Sequence, residues 1–433
     1  MTTAGFGARI CVRTCLVRAC LVRACLVRIC LVRICLVRIC LVLAGLVLAT
    51  GLPHPSAAEP QIEQRGEISA EVSWYPRKAA YGGQRDGFLH IEARPEILVY
   101  GDDIEAQLQP RLSGGTGGGG LVDLREANVT GRAGEMDYLI GSTVLFWGKV
   151  ESYNPVDIVN ARDFGRGLLR SEKRGAPMVR LSWPVGPGQL DLLAIDFVET
   201  VYPDVTLRER PALPVDDSTA SFSNGARRDD IATAARWSGF FGDIDLGLSW
   251  FRGTGNAPRL LPRPNGTLTP DYSRITQIGI DIQSLYGDMA VKAELIHRRG
   301  QYDRLGGIDS YGAGVVGLEH NLYDIDGSGR DLVLIAEYAR DERGHRSHSG
   351  FQNDLVLGGR WLWNDVEDTE VLALLSRDLD NRAQTLSVTF DRRLTDSMSL
   401  EAGARWPDRL AHDPNSTALA RDAAFIARLT YSF

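Results

Sequence analysis

The chain has 433 residues, with 48 basic and 55 acidic side chains, and its seven Cys all fall within the first forty positions, so the remainder carries neither thiol chemistry nor a disulfide framework. Residues 1–58 hold seven of the Arg and no acid; without them 41 basic groups face 55 acidic ones, a net charge of −14 that disfavours a nucleic-acid partner. No stretch after residue 58 approaches the roughly eighteen consecutive apolar residues of a transmembrane helix.

From Thr14 the leader repeats C-L-V-R-A or C-L-V-R-I every five residues, which sets Arg18, Arg23, Arg28, Arg33 and Arg38 in an otherwise apolar stretch. An Arg at a helix centre costs about 2.5–3.5 kcal/mol on insertion, and a five-residue step scatters the charges around a helix, so the repeat is not a membrane span. Residues 39–52 are uninterrupted and suit the apolar region of a secretory signal, with Ser56-Ala57-Ala58 as small residues before a cut at Glu59. The expected organisation is a cleaved signal peptide at 1–58, carrying the Cys/Arg repeats, and one β-barrel domain at 59–433.

Between turn signals, period-two alternation predicts eighteen strands. In chain order they are 68–74, 90–98, 104–109, 123–129, 138–145, 177–183, 189–195, 231–237, 244–250, 276–283, 289–296, 312–319, 331–338, 354–361, 370–376, 385–390, 397–406 and 423–433. One face of such a segment fits lipid and the other fits water: Leu89, Ile91, Ala93, Ile97 and Val99 oppose His90, Glu92, Arg94 and Glu96. The connections alternate in length. Short ones at 100–103, 184–188, 285–288 and 394–397 interleave with long ones at 147–176, 200–229 and 253–274. A soluble sandwich has no reason to sort its loops, whereas a membrane barrel keeps short turns in the periplasm and long loops outside. The expected fold is all-β: a transmembrane antiparallel β-barrel of about eighteen strands, sixteen being the other even count, in the bacterial outer membrane.

The terminal strand, A-A-F-I-A-R-L-T-Y-S-F, puts Phe425, Leu429, Tyr431 and Phe433 on one face and Arg428, Thr430 and Ser432 on the other, an ending that resembles the terminal signature of outer-membrane barrels. Eighteen strands enclose an aqueous lumen. The inward positions carry both signs: Arg94, Arg111, Arg180, Arg236, Lys292, Arg360, Arg405 and Arg428 against Glu92, Glu96, Glu105, Asp281, Glu294, Asp391 and Glu401. The third outer loop is too long to be a plain connection and holds Val156, Ile158, Val159, Phe164, Leu168 and Leu169, so it has something to bury. Folded into the lumen, it would set Lys149, Glu151, Asp157, Arg162, Asp163, Arg166 and Arg170 across the pore; the alternative is a loop capping the outside.

R-E-A at Arg125, F-W-G at Phe146, then E-S, V-D-I-V-N and D-F through Phe164 resemble a group of proteobacterial outer-membrane barrels with the pattern F-W-G-x-x-E-S-x-x-x-V-D-I-x-N, distantly similar to porins and alginate-export channels. That resemblance implies a barrel and a transport role. Where the group often has Ile-Asn-Gln, this chain has Val159-Asn160-Ala161-Arg162, so a role for that Gln does not carry over.

Other constellations are weaker. Asp324, Asp326 and Gly327 copy the start of a calcium loop, but Ile335 stands where its closing Glu belongs, so a turn is expected. His345 and His348 lack a third ligand, the Gly-rich run 114–120 reads as a flexible outer loop, and His297 near Asp303 is the one pair to consider for a hydrolase. No enzyme activity, cofactor or metal is expected. The leading expectation is a water-filled porin for passive diffusion of small hydrophilic solutes, with the third outer loop as its constriction. The alternative is an export channel for a polysaccharide or other polymer, and a barrel hydrolase or structural barrel is minor. Expected partners are outer-membrane lipid, small hydrophilic solutes and the barrel-assembly machinery; porins of this size are often trimeric, which makes a homotrimer a further expectation.

Overall fold

The computed structural model describes residues 60–408 and 419–433; the leader expected at 1–58 lies outside the described residues. Eighteen strands form one closed antiparallel sheet. They are β1 Gln61–Trp74, β2 Gly87–Tyr100, β3 Ile104–Gly115, β4 Gly118–Ala133, β5 Met136–Thr143, β6 Ala176–Val185, β7 Gly188–Asp196, β8 Ile231–Phe241, β9 Ile244–Thr254, β10 Leu268–Tyr286, β11 Met289–Tyr302, β12 Ile308–Leu322, β13 Asp331–Asp341, β14 Asn353–Leu362, β15 Glu370–Asp378, β16 Gln384–Thr395, β17 Met398–Asp408 and β18 Ala424–Ser432. Each pairs with its successor, and β1 pairs with β18 from Glu67 opposite Ser432 to Trp74 opposite Phe425. Closure removes the open edge that would otherwise invite aggregation. Every predicted segment falls on one of these strands in the same order.

Alternation explains why these segments pair as they do. Ile68, Val72, Ile91, Leu248, Val316, Leu357, Leu386 and Leu429 all point outward and are exposed, forming an apolar surface made for a bilayer. Aromatic side chains gather near its two margins: Trp74 stacks on Phe425 with Trp406 beside it at one end, and Tyr431 stacks on Phe433 at the other. This architecture places the chain in the bacterial outer membrane.

At one end the turns are short, as at 101–103, 134–135, 186–187 and 242–243, and at the other they run long, as at 75–86, 144–175, 197–230, 255–267 and 342–352. The long end faces outward. Two details differ from the sequence reading. The expected loop 253–274 shortens to 255–267 because β10 extends outward to Leu268 and collects two short strands, Arg259–Pro262 and Ser221–Ser223. The Gly-rich run is not a flexible loop either: β3 and β4 continue through it to a two-residue turn at Thr116 and Gly117, where the Thr116 N–H donates to the Leu89 carbonyl at 2.9 Å.

Candidate functional site

The third outer loop, 144–175, leaves β5 and folds inward. Its first half is anchored on wall strands far from where it starts. Gly148 has φ +157°, and a Cβ there would lie 2.2 Å from Asn154 Oδ1 and 2.9 Å from Glu294 Oε1, so the glycine of F-W-G permits close packing against the loop's own Asn154 and the wall. Glu294 on β11 accepts the Lys149 N–H at 2.7 Å, and Glu337 on β13 accepts the N–H groups of Glu151 and Ser152 at 2.7 and 2.9 Å. Side chains repeat the link: Lys149 pairs with Asp245 on β9, and Glu151 pairs with Arg360 on β14 at 3.0 Å.

The middle of the loop is apolar. Val156 is fully buried, and Trp147, Ile158 and Val159 are nearly so; they pack on inward Leu139, Met178, Leu193, Ile195, Phe251, Ile275 and Ile296. Burying such side chains contributes about 1.5–3 kcal/mol each. Part of the wall from β5 to β12 is therefore apolar on its inward face, where alternation suggests water. Asn160 fixes the turn beyond: its amide donates to the Thr143 and Arg174 carbonyls and its oxygen accepts the Leu145 N–H at 2.8 Å. Asp157 holds Lys173 at 2.6 Å, and burial pulls that ammonium below its ordinary pKa against the opposing pull of Asp157.

The last part of the loop meets β1 to β3. Asp163 pairs with Arg111, Arg166 bridges Glu71 at 2.9 Å and Glu172, and Arg170 reaches Glu71 and Ser73, both at 2.6 Å. Arg428 on β18 also joins Glu71, at 2.6 Å, and Arg94 joins Glu172 at 2.5 Å. Arg162 stands apart. It is 46% exposed, lies 3.8 Å from Asp157 and donates to the Ser171 hydroxyl at 3.0 Å; the Leu169 side chain is exposed as well, while its carbonyl accepts from Arg405 at 3.3 Å.

Sequence reasoning therefore named loop residues that fall into two groups: Lys149 and Glu151 on one side of the lumen, Asp163, Arg166 and Arg170 on the other. Among the inward wall charges, Arg236 forms a two-point pair with Asp281 at 2.7 and 2.8 Å, Lys292 pairs with Glu319 at 2.5 Å, and Arg405 pairs with Glu209. Glu92 contacts Arg94 and lies 3.8 Å from Arg111. Arg180, Glu105 and Glu401 carry no ion pair among the described residues.

The residues that sequence reasoning missed belong largely to the fourth outer loop, 197–230. Arg208 and Glu209 are fully buried there. Arg208 donates to Asp86 at 2.7 Å and Asp422 at 2.8 Å, and to the carbonyls of Arg77 and Arg421; the Glu209 carboxylate accepts from the Tyr75 hydroxyl at 3.2 Å. Glu209 adopts φ +52°, an uncommon conformation for a side chain of its size. Arg-Glu-Arg between Leu207 and Pro211 was the available signal. His297 and Asp303 are not brought together: His297 stands on the outward face of β11 beside Arg299, while Asp303 accepts the N–H groups of Leu305 and Gly307 and pairs with Arg346.

Below the third loop, toward the short turns, the lumen holds cavities of about 800 Å³ and 390 Å³. Arg132, Lys149, Arg236, Glu135, Asp137 and Asp245 line the larger.

No protein-family model matches the chain, and no curated protein matches its sequence. Solved structures similar in fold include outer-membrane β-barrels. OccK11 of Pseudomonas aeruginosa superposes with TM-score 0.52 at 9% identity over 86% of this chain and 96% of its own. Wzi of Escherichia coli, described as a carbohydrate-binding β-barrel involved in group 1 capsule assembly, gives 0.50 at 12% identity over 85% and 84%. OmpT of Vibrio cholerae in its trimer form gives 0.43 at 10% identity over 87% and 100%. At these identities the likeness is one of fold.

Proposed function

We propose that the protein is an outer-membrane channel of porin type for passive diffusion of small hydrophilic solutes, narrowed by the third outer loop. The observation that carries this reading is the course of that loop. It starts at β5, docks on carboxylates of β11 and β13, and returns to ion-pair with β1 and β3, which takes it across the lumen. Lys149, Glu151, Asp157, Arg162, Asp163, Arg166 and Arg170 would then border the narrow zone, Arg162 with the most exposed side chain of them, and Glu92, Arg94, Glu105, Arg180, Arg236, Lys292, Glu294, Arg360, Glu401, Arg405 and Arg428 would line the remaining wall. The cavities beneath the loop support an aqueous vestibule on the periplasmic side. Polymer export fits less well, because a chain in transit would have to displace two loops held by buried ion pairs.

The test is conductance of the purified protein in a planar bilayer. Stepwise ion currents with weak ion selectivity are expected; a folded protein that inserts and never conducts would overturn the channel reading.

A further inference from the structure

A cavity of about 370 Å³ lies at the outer end of the lumen, between the ends of β1 to β3, the third loop at 163–170 and the fourth loop at 201–207 and 215–217. That volume falls within the range of small-molecule sites, roughly 300–1,000 Å³. Three guanidinium groups, Arg111, Arg166 and Arg170, and three carboxylates, Glu71, Glu92 and Asp163, face it, so its inner wall is balanced in charge; Asp204 and Asp217 stand exposed at the rim.

These six groups are mutually paired. Arg166 and Arg170 hold Glu71, while Arg111 holds Asp163 and approaches Glu92. Their hydrogen-bonding capacity is nevertheless incomplete. Arg111 Nε, Arg170 Nε and His90 Nε2, all buried at this cavity, make no close hydrogen bond and lie 3.8, 3.7 and 3.9 Å from the carboxylates of Glu92, Glu209 and Glu92. An aromatic ring and a backbone wall complete the lining: Tyr202, stacked on Phe164, and the side-chain-free Gly114 and Gly120.

The chemistry of a fitting solute follows from that lining. An anion would have to take an arginine from a buried carboxylate, and a cation would have to take a carboxylate from a buried arginine; either leaves a charge uncompensated. A hydroxyl both donates and accepts, so it can add to an arginine and a carboxylate without separating them. A carbon-rich face of the same molecule can lie on the Tyr202 ring. We propose that this cavity is a binding subsite for an uncharged, hydroxyl-rich solute of sugar size, met before the narrow zone. The proposal rests on the channel reading and names its substrate class.

Glucose, gluconate and glucosamine share a carbon skeleton and differ in charge, so they make the test. Each is added to the outer side of single channels in a planar bilayer, and in parallel titrated by calorimetry into detergent-solubilised full-length protein. Glucose is expected to reduce the current in a saturable manner and to bind better than either charged analogue. Tyr202→Ala, on a loop and not on a wall strand, should raise the half-saturating glucose concentration about tenfold. Asp163→Asn keeps the shape but removes one of the two close carboxylates of Arg111, leaving Glu172 at 3.0 Å, and should shift the preference toward gluconate, which a purely structural aspartate would not do. Conducting channels indifferent to glucose would overturn the subsite and leave the channel standing. Stronger binding of gluconate or glucosamine to the wild type would overturn the uncharged class. If no channels form at all, the channel reading fails, and glucose binding in the calorimeter still decides the cavity: heat of binding abolished by Tyr202→Ala upholds it, and no heat refutes it.

Discussion

Replacing Glu294 and Glu337 together with Ala separates the forces that hold the third loop in the lumen. Glu337 accepts two loop N–H groups at 2.7 and 2.9 Å, and Glu294 accepts one at 2.7 Å with longer contacts to Val150 and Val156. A hydrogen bond to a charged group contributes about 1.5–3 kcal/mol, so the three short ones amount to roughly 4–9 kcal/mol. Both carboxylates are buried, 0% and 2% exposed, and removing them also relieves their desolvation, which favours the lower end. What remains is the Lys149–Asp245 and Glu151–Arg360 pairs, partly exposed and worth about 1 kcal/mol or less each, and the apolar segment around Val156, where four buried side chains contribute about 6–12 kcal/mol together. The double variant should therefore free residues 149–152 while 156–159 stay docked. In single-channel recordings this gives a modest rise in conductance and a clear rise in open-channel noise; adding Val156→Asp should release the whole loop and raise conductance further. Glu337→Gln keeps one acceptor oxygen and should change less than Glu337→Ala. If the triple variant still runs as a folded barrel on electrophoresis and conducts as the wild type does, the loop does not restrict the pore.

Neutralising Arg166 and Arg170 with Gln leaves Glu71 with Arg428 as its cation, so the reversal potential in a low-salt gradient should move toward cation preference, fading as salt screens the site. Arg162→Gln, at a half-exposed side chain, should leave the reversal potential near wild type. Trp147→Ala removes a 5%-exposed ring and should lower stability by about 3–5 kcal/mol, read as an earlier transition in urea-driven unfolding of the barrel in detergent micelles. Arg208→Ala leaves Asp422 buried without its cation and should expose the 197–230 loop to added protease while the wild type resists. Export with cleavage before Glu59 should give a mature chain whose mass lacks all seven Cys.

Where one face meets lipid and the other meets charge, as from Leu89 to Glu96, the strand is plain in the sequence. The inward face of β7 is not: Leu193 and Ile195 serve an incoming loop while Leu192 faces lipid, so the segment is apolar on both sides and its register cannot be told from composition. The inward course of the third loop was legible because Val156, Ile158 and Val159 need cover, and Trp147 and Gly148 of F-W-G, the backbone of E-S and the V-D-I-V-N segment take part in docking it beside Asp163, Arg166 and Arg170. Their partners were not legible. Arg166 meets Glu71 across 95 residues and the Glu151 N–H meets Glu337 across 186, separations that leave no local pattern. The same holds for Arg208 and Glu209, whose partners are supplied by both ends of the chain.

That last arrangement bears on assembly kinetics. Arg208 sits near the middle of the chain, 122 residues from Asp86 and 214 from Asp422, and those two partners flank the seam where β1 meets β18. Pairing so distant in sequence comes late, since loop-closure entropy must be met before such contacts form. The guanidinium can engage both carboxylates only after the cylinder has shut. Its native interactions would then be absent from the transition state for insertion, and their loss would speed unfolding while leaving the folding rate almost untouched. A single arginine in a surface loop thus acts as a clasp fastened after the barrel is made, setting how long the closed form lasts and not how quickly it is reached.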